Sequence, residues 1–245
     1  MSDALFAFLL TLFAGLATGV GGGVVLFTRV ENKKALAVCL SFAAGVMLYI
    51  SFAEILLKGF EGTWYWLATL AFFGGVGGMA LLDRCIPRRE DALRRTGNMS
   101  ALAIAIHNFP EGIITFMAAM YDPALGVAIA VAVAIHNIPE GIAMAAPLYY
   151  ATGSKKKALL VATLSGLTEP LGGLLAWLAL RRVVGDFDGA FGFIFAAVGG
   201  IMVFVALHQL LPAAYRYGKH STIMGWLFAG MGVMAVSLVA MAFVF

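Results

Sequence analysis

Eight apolar runs of about 20 residues, the length an α-helix needs to cross the hydrocarbon core of a bilayer, divide the chain. They fall roughly at 4–28, 34–57, 64–83, 99–121, 124–150, 157–180, 189–214 and 221–245. The pattern predicts an all-α membrane protein with eight transmembrane helices and leaves no stretch for a separate soluble domain, so residues 1–245 read as a single transmembrane domain. Two runs are interrupted where lipid should be, by Ile106-His107-Asn108-Phe109-Pro110-Glu111-Gly112 in the fourth and Ile135-His136-Asn137-Ile138-Pro139-Glu140-Gly141 in the fifth. A charged side chain at the centre of a span costs about 2.5–3.5 kcal/mol on insertion scales and faces the protein interior. The two interruptions are therefore a candidate functional site.

Composition agrees: 62% of residues are hydrophobic and 12% charged, against about 25% charged in soluble domains. The net charge of +3 does not indicate a nucleic-acid partner, because thirteen of the 16 Lys and Arg lie in or beside the odd-numbered connections. By the positive-inside rule those connections are cytoplasmic and both termini lie outside. Asp3 and the lack of basic residues before the first run predict an uncleaved first span. Cys39 and Cys85 have no disulfide or zinc-finger spacing. The clusters Thr18 to Gly23 and Gly74 to Gly78 read as tight helix contacts, and residues 84–97 as a charged membrane-edge loop without histidine.

Within each motif the histidine and glutamate are four residues apart, so His107 with Glu111, and His136 with Glu140, project from one helix face. Pro110 and Pro139 remove the N–H that would bond Ile106 and Ile135, and are expected to open a turn there. The short connection Met120-Tyr121-Asp122-Pro123 makes the two spans antiparallel, an inverted pair. Asn108 and Asn137 add amide oxygens. Two imidazoles, two carboxylates and two amides suit a divalent ion such as Zn²⁺, Fe²⁺, Mn²⁺ or Co²⁺. On the sixth span Glu169 stands beside Pro170 as a further candidate ligand. Met47 and Glu54 share one face of the second span. Met47 is a soft ligand or core filler, and Glu54 either meets ions near the outer surface or reaches interfacial water. His208, four residues before Pro212, is an exit-side ligand or an interhelical hydrogen-bonding group.

Two function classes compete. An intramembrane metal-dependent hydrolase would need an open metal position and a base near bound water, and the zincin arrangement His-Glu-x-x-His does not occur here. A transporter uses saturating ligands on facing spans. No Walker motif is present, so transport would be secondary. It is expected to depend on pH, because metal binding displaces protons from ligands.

The two His-Asn-x-Pro-Glu-Gly motifs, the element Ser165-Gly166-Leu167-Thr168-Glu169 and the eight spans together resemble the ZIP family of divalent metal transporters, its bacterial branch in particular. The resemblance implies inverted repeats formed by spans one to three and six to eight around spans four and five. It implies a binuclear site at the membrane centre: His107, Glu111, Glu140, Met47 and His136 for one ion, and Asn108, Glu111, Asn137, Glu140 and Glu169 for the other, with both glutamates bridging. The implied cargo is zinc, with Fe²⁺, Mn²⁺, Co²⁺ or Cd²⁺ also carried, taken from outside into the cytoplasm of a bacterial cell without a prosthetic group. A homodimer in the inner membrane and an elevator-like sliding of the core of spans four to six are implied as well. Three departures stand out: no histidine-rich loop follows span three, His208-Gln209 replaces acidic residues, and Pro170 follows Glu169.

Overall fold

A computed structural model describes residues 3–27, 29, 32–85, 92–121, 123–180 and 188–244. The side chain of His136 lies outside the described residues, as do Asp122 of the expected turn, Arg88, Arg89, Arg181, Arg182 and Asp186. The described residues form helices and contain no strand. Among the described residues eight helices are long and apolar enough to cross a membrane, as the apolar runs predict.

The first span is Asp3–Gly23 with a 3-10 extension over Val24–Phe27. The second begins as Lys33–Ile50, where the Asn32 side chain accepts from the Ala35 N–H at 3.0 Å. It continues through a π-helical turn, Ser51–Ile55, into Leu56–Gly62. The third is Tyr65–Cys85, the fourth Ala92–Tyr121 and the fifth Pro123–Thr152. The sixth is broken into Lys155–Gly166 and Thr168–Leu180. The seventh runs through Asp188–Phe204, a second π-helical turn at Val205–Leu210, and Leu211–Tyr215. His220–Val244 is the eighth.

Two expectations are corrected. The fourth span starts at Ala92, so the last residues of the expected 84–97 loop are helical. Their polar groups are used: Arg95 holds the Asp83 carboxylate at 2.9 Å and also donates to the Asp83 carbonyl, and Thr96 donates to the Ala92 carbonyl at 3.0 Å. The fourth and fifth spans also stay helical through Pro110 and Pro139. Proline costs a helix one hydrogen bond and some strain, and packing on both sides keeps the turn closed. The break falls in the sixth span instead, where Pro170 cannot donate to the Gly166 carbonyl.

Close backbone contacts sort the spans into two bodies. In lipid there is no hydrophobic force between helices, so small residues that let backbones touch drive association. A Cβ added to Gly21 would lie 1.9 Å from the Ile138 carbonyl oxygen, one on Gly141 2.0 Å from that of Thr18, and one on Gly172 2.1 Å from that of Phe109. Gly15 and Gly166 meet each other in the same way. These contacts join spans one, four, five and six. Gly45 against Leu227 and Gly230 against Phe42 join spans two and eight, while Gly75 against Ala197 and Gly200 against Phe72 join spans three and seven. The end of span two packs on span seven through Gly59 and Ala196. The most extensive helix contacts follow the same partition. Between the bodies lies an apolar cluster in which Met47, Ile50 and Met202 meet Ile104, Ala143 and Met144.

Gly75→Ala is expected to force spans three and seven apart and cost about 1–3 kcal/mol, as overpacking does. Gly74 has nothing within 4 Å, so Gly74→Ala should leave stability unchanged or slightly raised. Thermal unfolding of the two purified variants in one detergent checks the contrast.

Candidate metal site

Spans four and five form an antiparallel pair, with Gly97 against Leu148 at one end and Gly126 against Ala119 at the other. The pairing brings His107 and Glu111 of span four against Glu140 of span five. His107 Nε2 lies 3.3 Å from Glu111 Oε2, one turn along its own helix, and 3.5 Å from Glu140 Oε1 on the neighbouring span. His107 and Glu140 are buried and Glu111 nearly so. The structure thus brings together three of the four ionisable groups of the paired motifs, and the side chain of the fourth, His136, lies outside the described residues. Among the described residues no three His, Cys, Asp or Glu side chains already form a cage able to hold an ion unaided; the cluster is joined through one imidazole nitrogen.

The two asparagines behave alike. Asn137 Nδ2 donates to the Ala14 carbonyl on span one at 2.9 Å and to Glu169 Oε1 on span six. Asn108 Nδ2 donates to the Ser165 carbonyl on span six at 3.5 Å. Ser165 in turn donates to the Ala101 carbonyl at 3.0 Å, and Thr168 to the Ser165 carbonyl at 2.6 Å, which fixes the broken turn that presents Glu169. Each amide nitrogen is spent on a neighbouring span. Asn108 Oδ1, Asn137 Oδ1 and Glu169 Oε2 are left buried with no hydrogen-bond partner among the described residues. Native proteins rarely bury acceptors unsatisfied, and a cation is one group that satisfies buried oxygens. The final glycine of each motif has a reason too: a Cβ on Gly112 would lie 2.0 Å from the Glu169 carbonyl oxygen, as one on Gly141 would from that of Thr18.

A cavity of about 120 Å³ leads to His107 and Glu111 from between the bodies. Glu54 and Lys58 of span two stand in its wall and pair at 2.7 Å, and Pro110 and Thr115 of span four line it as well. Glu54 therefore shares a water-sized space with the motif, beyond the simple interfacial contact the sequence also allowed. Met47 sits one turn deeper than cavity-lining Ile50, within the apolar cluster. His208 is exposed, its ring tilted against that of Phe204 and its Nε2 3.6 Å from Asp83 Oδ2 at the other end of the bundle. Its neighbour Gln209 donates to Asp83 Oδ1 at 2.7 Å, so an acid at 209 would set two carboxylates against each other. Both Glu54 and His208 lie in the π-helical turns, irregularities that often mark function.

Sequence reasoning did not find the Ala14 and Ser165 carbonyls or the Asp83, Arg95 and Gln209 group. Carbonyl ligation leaves no side-chain signature, and residues 83 and 95 flank a connection read as solvated. Thr115 was not singled out either, although the four-residue period linking His107 to Glu111 continues to it.

Eight membrane-capable helices around a buried cluster of ionisable side chains describe a polytopic membrane protein that handles ions within the bilayer. The family model described as ZIP Zinc transporter matches residues 89–239. The chain is 46% identical to the protein named Zinc transporter ZupT from Nitratidesulfovibrio vulgaris, over 96% of this chain and 97% of that one. It is 48% identical to the protein of the same name from Corynebacterium glutamicum, over 96% and 98%. The chain belongs to the ZIP family. It is a membrane transporter of metal ions and not an enzyme, and the metal is its substrate, not a prosthetic group.

Arg95→Ala should destabilise the protein by about 1.5–3 kcal/mol, the usual range for a hydrogen bond to a charged group. Arg95→Lys should recover only part, because a lysine ammonium does not span the Asp83 carboxylate and carbonyl together. Chemical or thermal unfolding of both variants gives the comparison.

Proposed function

We propose that this chain is a single transporter domain that carries zinc, and with it Fe²⁺, Mn²⁺, Co²⁺ or Cd²⁺, from outside to cytoplasm through a two-ion site at the bilayer centre. His107, His136, Glu111, Glu140 and Met47 hold one ion. Asn108, Asn137 and Glu169 hold the second, with Glu111 and Glu140 bridging. The observation that carries this reading is the convergence of His107 on Glu111 and Glu140 at 3.3 and 3.5 Å, beside buried oxygens of Asn108, Asn137 and Glu169 that lack a donor. Burying such groups is unfavourable unless something charged or polar meets them, and a dication meets all of them. The name zinc transporter given to the relatives supports zinc as the first cargo.

Further features support the transport cycle. Offset contacts favour inverted repeats: Gly15, Thr18 and Gly21 of span one stand at one constant spacing from Gly166, Glu169 and Gly172 of span six, and all make equivalent contacts. Gly45 and Gly75 stand at a second constant spacing from Gly200 and Gly230. The two bodies favour sliding of a core that takes in span one as well as spans four to six. The basic residues favour a cytoplasmic Asp83 end, with both termini outside, so that the Glu54 mouth faces the incoming ion. Gly74, Gly77 and Gly78 of span three have nothing against them, which leaves that face for a second copy in a homodimer of the bacterial inner membrane.

In sealed vesicles, His107→Ala and Glu140→Ala should each reduce zinc uptake by about 10-fold or more, the scale of losing one ligand or its support. Unlabelled Cd²⁺ should suppress uptake by the unaltered protein. Uptake in both variants equal to that of the unaltered protein would refute the site.

A further inference from the structure

One polar side chain in the cavity has no part in the site described above. Thr115 follows Glu111 by four residues and His107 by eight, so all three lie along one face of span four. At 1.5 Å rise per residue it stands ~6 Å beyond Glu111 toward the Glu54 mouth. It lines the same cavity as His107, Glu111 and Glu54. Its side chain is fully buried, and its hydroxyl has no hydrogen-bond partner among the described residues.

Most other helical hydroxyls of this chain behave differently, and the two that share its lack of a partner among the described residues, Thr18 and Ser100, do not line the cavity. Thr11, Ser41, Ser51, Thr69, Thr96, Thr152 and Thr163 each donate to the carbonyl four residues back, the ordinary way a hydroxyl is satisfied within a helix. Thr115 makes no such bond. Packing alone would be served by valine, since Ile114, Ile129 and Val133 share the wall, and an unsatisfied buried hydroxyl weakens the fold. The cavity, at about 120 Å³, far exceeds the about 10–15 Å³ that one water requires. A hydroxyl there has something other than protein to bind.

We propose that Thr115 is a relay ligand, its Oγ1 taking one position on the partly dehydrated cation between the Glu54 mouth and the His107–Glu111 pair. The inference rests on the transport path proposed above and adds to it a residue that sets apparent affinity and selectivity. A hydroxyl is a hard donor, so it favours Mn²⁺ more than Cd²⁺.

The test uses the full chain in sealed vesicles with Zn²⁺, Mn²⁺ and Cd²⁺. Thr115→Val should raise the KM for zinc roughly 3- to 10-fold with maximal rate nearly unchanged, the signature of lost ground-state binding. The rise should be larger for Mn²⁺ than for Cd²⁺, and Thr115→Ser should restore the original KM. Thermal unfolding should find Thr115→Val at least as stable as the unaltered protein, because no bond within the protein is lost. An unchanged KM in Thr115→Val, while His107→Ala lowers uptake as expected, overturns the relay alone. A fall in melting temperature that tracks the fall in uptake also overturns it, by making the hydroxyl structural. Full uptake in His107→Ala and Glu140→Ala removes the path and the relay together.

Discussion

Glu140 and Glu169 are withdrawn from lipid because spans one and six press against spans five and four at distances that admit no side chain. Four helices are a thin wall around ionisable groups, and an ionised carboxylate placed in hydrocarbon without partners is unfavourable by several kcal/mol. The wall closes at the glycines. Gly112 lets the backbone at Glu169 come against span four, and Gly141 does the same for Thr18 against span five. The heptapeptide that supplies the polar side chains thus also supplies the contact that shields them, which ties the site to the fold: a change that loosens the packing also exposes the charge.

Much of this was legible in the chain. Length and apolarity give eight spans, and a four-residue period puts His107 with Glu111. Partners more distant in sequence were not legible. Nothing in Ala14 or Ser165 marks their carbonyls as acceptors for Asn137 and Asn108, since every residue carries one. The prolines misled in a physical way. Pro110 and Pro139 weaken a helical turn, but whether the turn opens depends on what packs around it, and here both helices continue. The irregular turns fall instead at Ser51–Ile55, where no proline or glycine announces one, and at Val205–Leu210, where Pro212 cannot donate to the His208 carbonyl. Helix placement followed from local pattern, whereas the detail of the site depended on tertiary contact.

The departure at residues 208–209 also becomes intelligible only in three dimensions. Gln209 is the amide that lets Asp83 accept from span seven and from Arg95 on span four at once. Tyr150, on span five, donates to the Asn32 carbonyl beside span two at 2.6 Å, and Lys33 lies over the Tyr150 ring at 5.0 Å. These polar ties cross from one body to the other at the basic end of the bundle. At the opposite end the bodies are separated by the cavity between Glu54 and Glu111.

The two ends differ in their side chains more than in their backbone contacts. The constant spacings that relate span one to span six, and spans two and three to seven and eight, would by themselves make the two ends of the path equivalent. The side chains break the equivalence at a few positions. Glu169 corresponds to Thr18, and Glu54 to Gln209, so a carboxylate on one side is answered by a neutral group on the other. Met47 corresponds to Met202, and both lie in the apolar cluster between the bodies, so the hydrophobic contact there is matched while the polar lining is not. The backbone contacts of the two halves are thus alike, while the polar side chains at the two ends differ. Arg95 held on Asp83 ties the bodies together beside a cavity of about 470 Å³ at the basic end, and Glu54 lines the smaller one that reaches His107 and Glu111 at the other.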